Sequence, residues 1–166
     1  MDISEELAPG ALGEIVTLHS KFYAVHWGFG LFFETKVARE LADFADRAAE
    51  NDLILIAHDK NGVAASLILD LNDPISEERG AHLRWFISAD RCRGTGICRD
   101  FMARAVAHAE GYCEGRMWLT TFAGLKPARH LYEEFGFTLA SEEDGEAWGT
   151  RVREQEFRRL RIKPAV

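Results

Sequence analysis

The chain is poor in the residues that staple or partition a fold. Its three cysteines, Cys92, Cys98 and Cys113, cannot all pair, and no two of them form a Cys-x-x-Cys spacing. That rules out a disulfide framework and a thiolate-held metal as organising features, and it predicts a reducing compartment and no bound metal. The four prolines and 14 glycines are scattered rather than clustered, so no linker or boundary suggests itself and residues 1–166 read as one domain. No apolar run reaches the roughly 20 residues that cross a bilayer, and the acidic start around Asp2 and Glu6 has neither a basic n-region nor an apolar h-region. The expectation is a soluble, cytoplasmic protein with no membrane partner. Basic charge is also short: 20 Lys and Arg stand against 27 Asp and Glu, a net charge of −7. A nucleic-acid partner needs a basic face and is therefore not expected. Arg91, Arg93 and Arg99 remain as a local basic cluster suited to a single anionic group, within an exterior that favours cationic or amine partners.

What the chain does have is apolar periodicity, in a composition 47% hydrophobic and a length that can bury a core unaided. Leu12, Ile15, Val16, His19, Phe22 and Tyr23 recur at helical spacing after Pro9-Gly10, predicting a helix from about Ala11, with room before it for a short strand. Trp27-Gly28-Phe29-Gly30 marks a break. A second helix is predicted over 32–49, with Phe33, Val37, Leu41, Phe44 and Ala48 on one face. Strands follow at 53–57 and 63–71, joined through Asn61-Gly62, and a third at 81–88 after a polar loop. A helix from about Gly96 carries Ile97, Phe101, Ala105, Ala109 and Cys113 on one stripe. Then come a strand at 117–121, a helix at 126–135 stopped by Gly136, and strands at 137–140 and 148–160 flanking an acidic loop from Glu142 to Glu146. His58 and His108 read as surface residues. This order predicts a mixed α/β fold, a central mixed β-sheet flanked by helices, with a parallel strand pair around the crossover helix after Ile87.

One junction organises the rest. The apolar strand Leu83–Ser88 runs into a short polar turn holding Arg91 and Arg93, and Gly94-Thr95-Gly96 then opens the long helix. Such a junction aims unpaired backbone N–H groups, at the positive end of a helix dipole, at whatever approaches the glycines, and it suits phosphate. A dinucleotide-binding reading fails on spacing, because Gly94-x-Gly96 has no third glycine at the required offset and the motif does not follow the first strand.

Arg93-Gly94-Thr95-Gly96-Ile97-Cys98 resembles the acetyl-CoA signature of the GNAT acetyltransferase superfamily, in which Arg or Gln leads a Gly-x-Gly-x-small run. Ala128-Arg129-His130-Leu131-Tyr132-Glu133-Glu134-Phe135-Gly136-Phe137 resembles its second motif, Ala-x-x-Leu-Tyr-x-x-x-Gly-Phe. Tyr23 to Phe44 and Thr121-Phe122-Ala123-Gly124 look like the acetyltransferase domains fused to MarR-type regulators, without the DNA-binding half. The likeness covers roughly residues 3–160. Two positions depart from the pattern: Cys98 stands where Gly or Ala is usual, and Leu125 stands where many relatives carry Asn.

The resemblance implies an acetyl-CoA-dependent N-acetyltransferase acting by direct attack of a primary amine of a small molecule or peptide, working as a monomer or homodimer. The acetyl-CoA site would comprise Arg91, Arg93, Gly94, Thr95, Gly96, Ile97 and Cys98 around the pyrophosphate, with the main chain of Phe86 and Ile87 along the pantetheine arm. Tyr132 is the candidate general acid, since a phenol near pKa 10 stays protonated beside a thiol near 8.5; the alternative is a packed tyrosine with its hydroxyl on a backbone carbonyl. His82 is the candidate base, with His26, Glu34 and water as alternatives. Arg84 shares its strand face. Trp27 and Phe29, next to the glycines, are candidate substrate-contact residues within an aromatic segment that otherwise reads as core. A non-catalytic acyl-CoA-binding module is the competing reading from a different class.

Overall fold

The computed structural model describes residues 1–161. Its elements are β1 (Asp2–Ser4), α1 (Ala11–Trp27), α2 (Leu31–Arg47), β2 (Leu53–Asp59), β3 (Gly62–Asp70), β4 (Ala81–Ser88), α3 (Ile97–Cys113), β5 (Met117–Phe122), α4 (Lys126–Glu134), β6 (Thr138–Gly145) and β7 (Val152–Arg159). The seven strands form one sheet in the order β1-β2-β3-β4-β5-β7-β6. Only β4 and β5 run parallel, and α3 is the crossover between them. The fold is the mixed α/β sheet with flanking helices that the periodicity implies.

Period-two alternation sorts the strand residues into two cores. Leu55, Leu67, Leu69, Leu83, Met117, Leu119 and Phe157 pack under α3 and α4 with Phe101, Met102 and Phe137. Ile56, Ile68 and Phe122 face the other way, against Ile15, Phe33, Leu41 and Phe44 of α1 and α2. β3 is buried from Val63 to Asp70 because helices cover both of its faces. Helix α2 stops at Arg47, two residues short of the expected end, where its guanidinium grips the fully buried Asp70 through two hydrogen bonds of 3.0 and 2.6 Å.

The acidic stretch at Glu142 is a strand, not a loop. β6 continues to Gly145 because Glu142 pairs with Arg153 at 3.1 Å and Asp144 with Arg151 and Arg153 at 3.6 and 3.4 Å, so the hairpin offsets its own charge. Trp148 accordingly lies in the turn and not in β7. His58 and His108 are half-buried: Ser4 Oγ lies 3.3 Å from His58 Nε2, and His108 Nε2 lies 2.7 Å from the carbonyl of Asn51.

Two irregularities in β4 position the site. Pairing with β3 slips between Ile68↔Arg84 and Ser66↔Ile87, so β4 holds one extra residue there, and Trp85 takes φ 46. This β-bulge reverses the alternation. Ala81 and Leu83 face the α3/α4 core, Trp85 turns to α1/α2, and Phe86 returns to α3/α4. On its other edge β4 pairs with β5 only at Ala81↔Met117 and His82↔Trp118. Past His82 the two strands part, leaving the β5-facing main chain of Phe86 and Ile87 without a ladder partner.

Candidate active site

The parting of β4 and β5 opens a cavity of about 1040 Å³ through the sheet. Its lining comes from both faces: Phe86, Cys98, Leu131 and Tyr132 on the α3/α4 side, and His19, Tyr23, Phe33 and Glu40 on the α1/α2 side. The sequence-predicted residues His82, Arg84, Phe86, Ile87, Arg93, Cys98 and Tyr132 all line it.

At the α3 end the main chain supplies the chemistry. Gly94 and Gly96 take φ 77 and 81, a left-handed conformation that side chains resist. A Cβ built on either would meet no protein atom within 4 Å, so the space above them is open to a ligand. The first helical hydrogen bond runs from Asp100 N–H to Gly96 C=O. Among the described residues the N–H groups of Gly94, Gly96, Cys98 and Arg99 have no acceptor, while Thr95 N–H is bound to Cys92 C=O and its hydroxyl to the same carbonyl at 2.7 Å. Four bare N–H groups at a helix start are a fitting cradle for the pyrophosphate of an acyl-CoA. Ile97 is half-buried on the α3/α4 core, and its N–H donates to Thr95 Oγ1 at 3.4 Å.

The two arginines of the turn differ. Arg91 is held by Asp59, Nε at 2.6 Å and Nη2 at 3.3 Å, and by the carbonyl of Val63 at 3.0 Å. It pins the turn to β2 and β3 and is not free to meet a phosphate, which corrects its expected place in the cradle. Arg93 is 85% exposed on a loose 3.5 Å contact to Asp90 and lines the cavity mouth. The Cys98 thiol lies 3.2 Å from Ser88 Oγ.

Tyr132 stands on the inner face of α4, its ring among Phe86, Phe137 and Phe157 at centroid distances of 6.4, 5.9 and 6.0 Å. It is 7% exposed, and its hydroxyl has no partner among the described residues. Since no buried side-chain oxygen or nitrogen among the described residues is left unsatisfied, that hydroxyl opens on the cavity instead of bonding a backbone carbonyl. Burial pushes its pKa well above the ordinary phenol value.

On the opposite side His82 lies flat on Trp118, ring centroids 3.6 Å apart, and its Nδ1–H donates to Asp73 Oδ2 at 2.6 Å. Burial lowers its pKa against the pull of Asp73, so the ring is neutral at pH 7 with Nε2 open to the cavity. Asp73 itself is held down to about 2: burial works to raise it, but hydrogen bonds from His82 and the Ile75 N–H, with the charges of His82 and Arg84, outweigh that. The sequence gives no sign of Asp73, which arrives from the loop after β3. Arg84 spreads over Trp85 at 4.2 Å and is shared among Glu40, Asp70 and Asp73 at 3.4 to 3.5 Å.

Trp27 and Phe29 do not line the cavity. Phe29 is 3% exposed and packs on Tyr23, Phe33 and Phe122, because the Gly28–Gly30 bend folds it inward. Trp27 stands edge-on to Phe122 at 4.7 Å and closes over Gly124. Aromatics of this region that do line the cavity include Phe22, Tyr23, Phe33, Phe122 and Trp148. His26 and Glu34 are exposed and lie outside it. His19, which sequence periodicity assigns to the core stripe of α1, lies on the cavity wall. Its only sequence signal is a histidine in an otherwise apolar stripe. Leu125 at the start of α4 packs against the α1/α2 core and lines the cavity with carbon where an amide would offer hydrogen bonds.

In overall shape the molecule matches a ribosomal-protein-alanine N-acetyltransferase from Brucella melitensis (TM-score 0.72, 14% identity, covering 96% of this chain and 99% of that one). It also matches an acyl-CoA N-acyltransferase from Pseudomonas aeruginosa (0.66, 19%, 96% and 100%) and a variant of spermidine N-acetyltransferase from Vibrio cholerae (0.63, 18%, 97% and 95%). At these identities the likeness is one of fold. Among curated proteins none matches the sequence significantly. The model of the acetyltransferase (GNAT) family matches residues 14–137, which span the bulged strand, the glycine turn, α3 and α4. The chain belongs to the acetyltransferase (GNAT) family.

Proposed function

We propose that the protein moves an acetyl group from acetyl-CoA to a primary amine of a small molecule or peptide by direct attack. The observation that carries this is a single cavity that reaches Arg93 and Cys98, beside the N–H groups at the start of α3 that have no acceptor among the described residues, and runs to the unpartnered, neutral imidazole nitrogen of His82 on the other side of the sheet. Bound acetyl-CoA supplies the activated acyl group. Gly94, Gly96, Cys98 and Arg99 hold its pyrophosphate through their N–H groups and Arg93 adds charge. The main chain of Phe86 and Ile87, freed from the ladder where β4 leaves β5, binds the pantetheine arm and the thioester carbonyl, a polarising role worth about 3 kcal/mol.

Tyr132 gives its hydroxyl proton to the departing thiolate. A phenol raised by burial cannot ionise before the thiol does, so the donor is always loaded. The incoming amine must shed a proton, and His82 Nε2 takes it. His82 and Phe86 are four residues apart on β4, about 13 Å at the rise of a strand, so the proton crosses by water in the cavity rather than by direct contact. Among the described residues no helix is long and apolar enough to span a membrane, in keeping with a cytoplasmic enzyme. The narrower likeness to acetyltransferase domains fused to MarR-type regulators belongs to this reading too, without DNA binding.

Thiol release from acetyl-CoA over a panel of amines tests the reaction. Turnover is expected to rise with pH as His82 loses its proton, below the usual histidine range because burial lowers its pKa. In His82→Gln that limb should disappear and kcat should fall about 10²-fold. A variant with an unchanged pH profile would remove His82 from the proton path, and a protein that binds acetyl-CoA yet releases no thiol with any amine would overturn the transfer.

A further inference from the structure

The acceptor half of the cavity holds two histidines whose ring nitrogens are free to accept hydrogen bonds. His19 lies in the buried stripe of α1 with Ala11 and Ile15 and is 6% exposed. Its Nδ1–H donates to Ile15 C=O at 2.8 Å, which fixes the tautomer. Among the described residues Nε2 has no partner and no buried side-chain nitrogen is left unsatisfied, so it opens on the cavity. His82 repeats the arrangement, Nδ1–H on Asp73 and Nε2 bare. Two lone pairs from two elements face one space.

The hairpin adds charge. Register places Phe122, Glu154 and Glu143 side by side across β5, β7 and β6. Glu143 and Glu154 are therefore like charges set directly opposite, an arrangement that costs stability, and neither has an ion-pair partner among the described residues. The nearby Arg153 lies on the other face with Glu142 and Asp144. Glu154 receives a single N–H, from Ala147 at 2.8 Å. Phe122 and Trp148, with centroids 5.6 Å apart, line the same space. The cations of this half are already committed, Lys36 to Glu40 at 2.6 Å and Arg84 to Glu40, Asp70 and Asp73. A carboxylate on the acceptor would find no free partner among them.

We infer that the acceptor is an aliphatic di- or polyamine: one nitrogen reacts, a second is held as an ammonium between Glu143 and Glu154 against the faces of Phe122 and Trp148, and His19 Nε2 accepts an N–H from the bound amine. This rests on the transfer reading above and names its substrate class. Glu154 and Glu143 stand about 5 and 10 Å from the Phe122 strand at one and two strand spacings. A short alkyl chain reaches from the gap between β4 and β5 to that pair, and aromatic faces favour the cation further.

The test compares 1,4-diaminobutane with 1-aminobutane, the same chain less one ammonium, in thiol release from acetyl-CoA. The diamine's kcat/KM is expected to be at least about tenfold higher, the equivalent of one well-placed ion pair. A Glu143→Gln, Glu154→Gln double variant should bring the two amines within about twofold of each other. His19→Phe should raise the diamine KM more than it changes kcat. In both variants an unchanged dissociation constant for acetyl-CoA shows the fold intact. Equal kcat/KM for the two amines in the unaltered protein, or a preference untouched by the double variant, overturns the inference while leaving the transfer reading standing. If no amine releases thiol, the transfer reading fails, and calorimetric titration of both amines decides the subsite: tighter diamine binding supports it, equal binding overturns it.

Discussion

The two halves of the cavity are built from different parts of the chain. The donor half, between the β4 bulge, the α3 start and α4, works through main-chain groups: four N–H groups beside the glycines and the unladdered stretch at Phe86 and Ile87. The acceptor half, between α1, α2 and the β6–β7 hairpin, works through side chains: His19, His82, Glu143 and Glu154. Main-chain groups are supplied by any sequence that keeps the turn and the bulge. Side-chain groups vary residue by residue, so the acceptor half is where one fold can take on different ligands.

The largest effect expected is at Tyr132, the donor-half group proposed to move a proton through its side chain. Tyr132→Phe should lower kcat by about 10²-fold or more, with the acetyl-CoA dissociation constant unchanged in calorimetry. Full turnover would return Tyr132 to a packing role. Gly96→Val comes next. A branched residue at φ 81 is strained, and its side chain occupies the open space above the turn; acetyl-CoA affinity should drop about 10²-fold, near 3 kcal/mol, while the thermal midpoint moves far less. Comparable losses of binding and stability would mean that the glycine serves folding alone.

His19 sharpens the other half. Burial, opposed only by its hydrogen bond to Ile15, holds its pKa at about 4 against 6.5 unfolded. A depressed pKa means the unfolded chain binds the extra proton first, so the stability is complete above 6.5 and is lost as pH falls towards 4. The loss is on the order of 3 kcal/mol between about pH 7 and pH 4. Denaturant unfolding at the two pH values should show it in the unaltered protein and not in His19→Gln. The smallest effect separates the two arginines: Arg93→Gln should weaken acetyl-CoA binding several-fold, and Arg91→Gln less than about twofold, because only Arg93 lacks a fixed partner.

The elements and the glycine turn at the start of α3 were readable because they depend on local signals. Alternation and helical spacing mark the strands and helices, and Gly94-Thr95-Gly96 paired with Ala128–Phe137 marks the family. What escaped the sequence depends on distant contacts or on phase. The alternation along β4 gives no warning of the flip at Trp85, since Leu83, Trp85 and Phe86 are all apolar. Arg91 looks like a phosphate ligand until Asp59, 32 positions earlier, is brought to it. Phe29 beside two glycines reads as exposed, yet the bend turns it inward. His19 reads as core because helical spacing shows which stripe is buried but not that part of the stripe faces a void. The acidic run at Glu142 reads as a loop until Arg151 and Arg153 stand opposite it.

The account turns on acyl-CoA entering the gap where β4 leaves β5. An amide NMR titration with acetyl-CoA tests this directly. The largest shifts are expected at the N–H groups of Gly94, Gly96, Cys98 and Arg99 and at Phe86 and Ile87, with Arg91 and the buried strand β3 little changed. Saturable shifts elsewhere that spare the glycine turn, or no shifts at millimolar ligand, would contradict it.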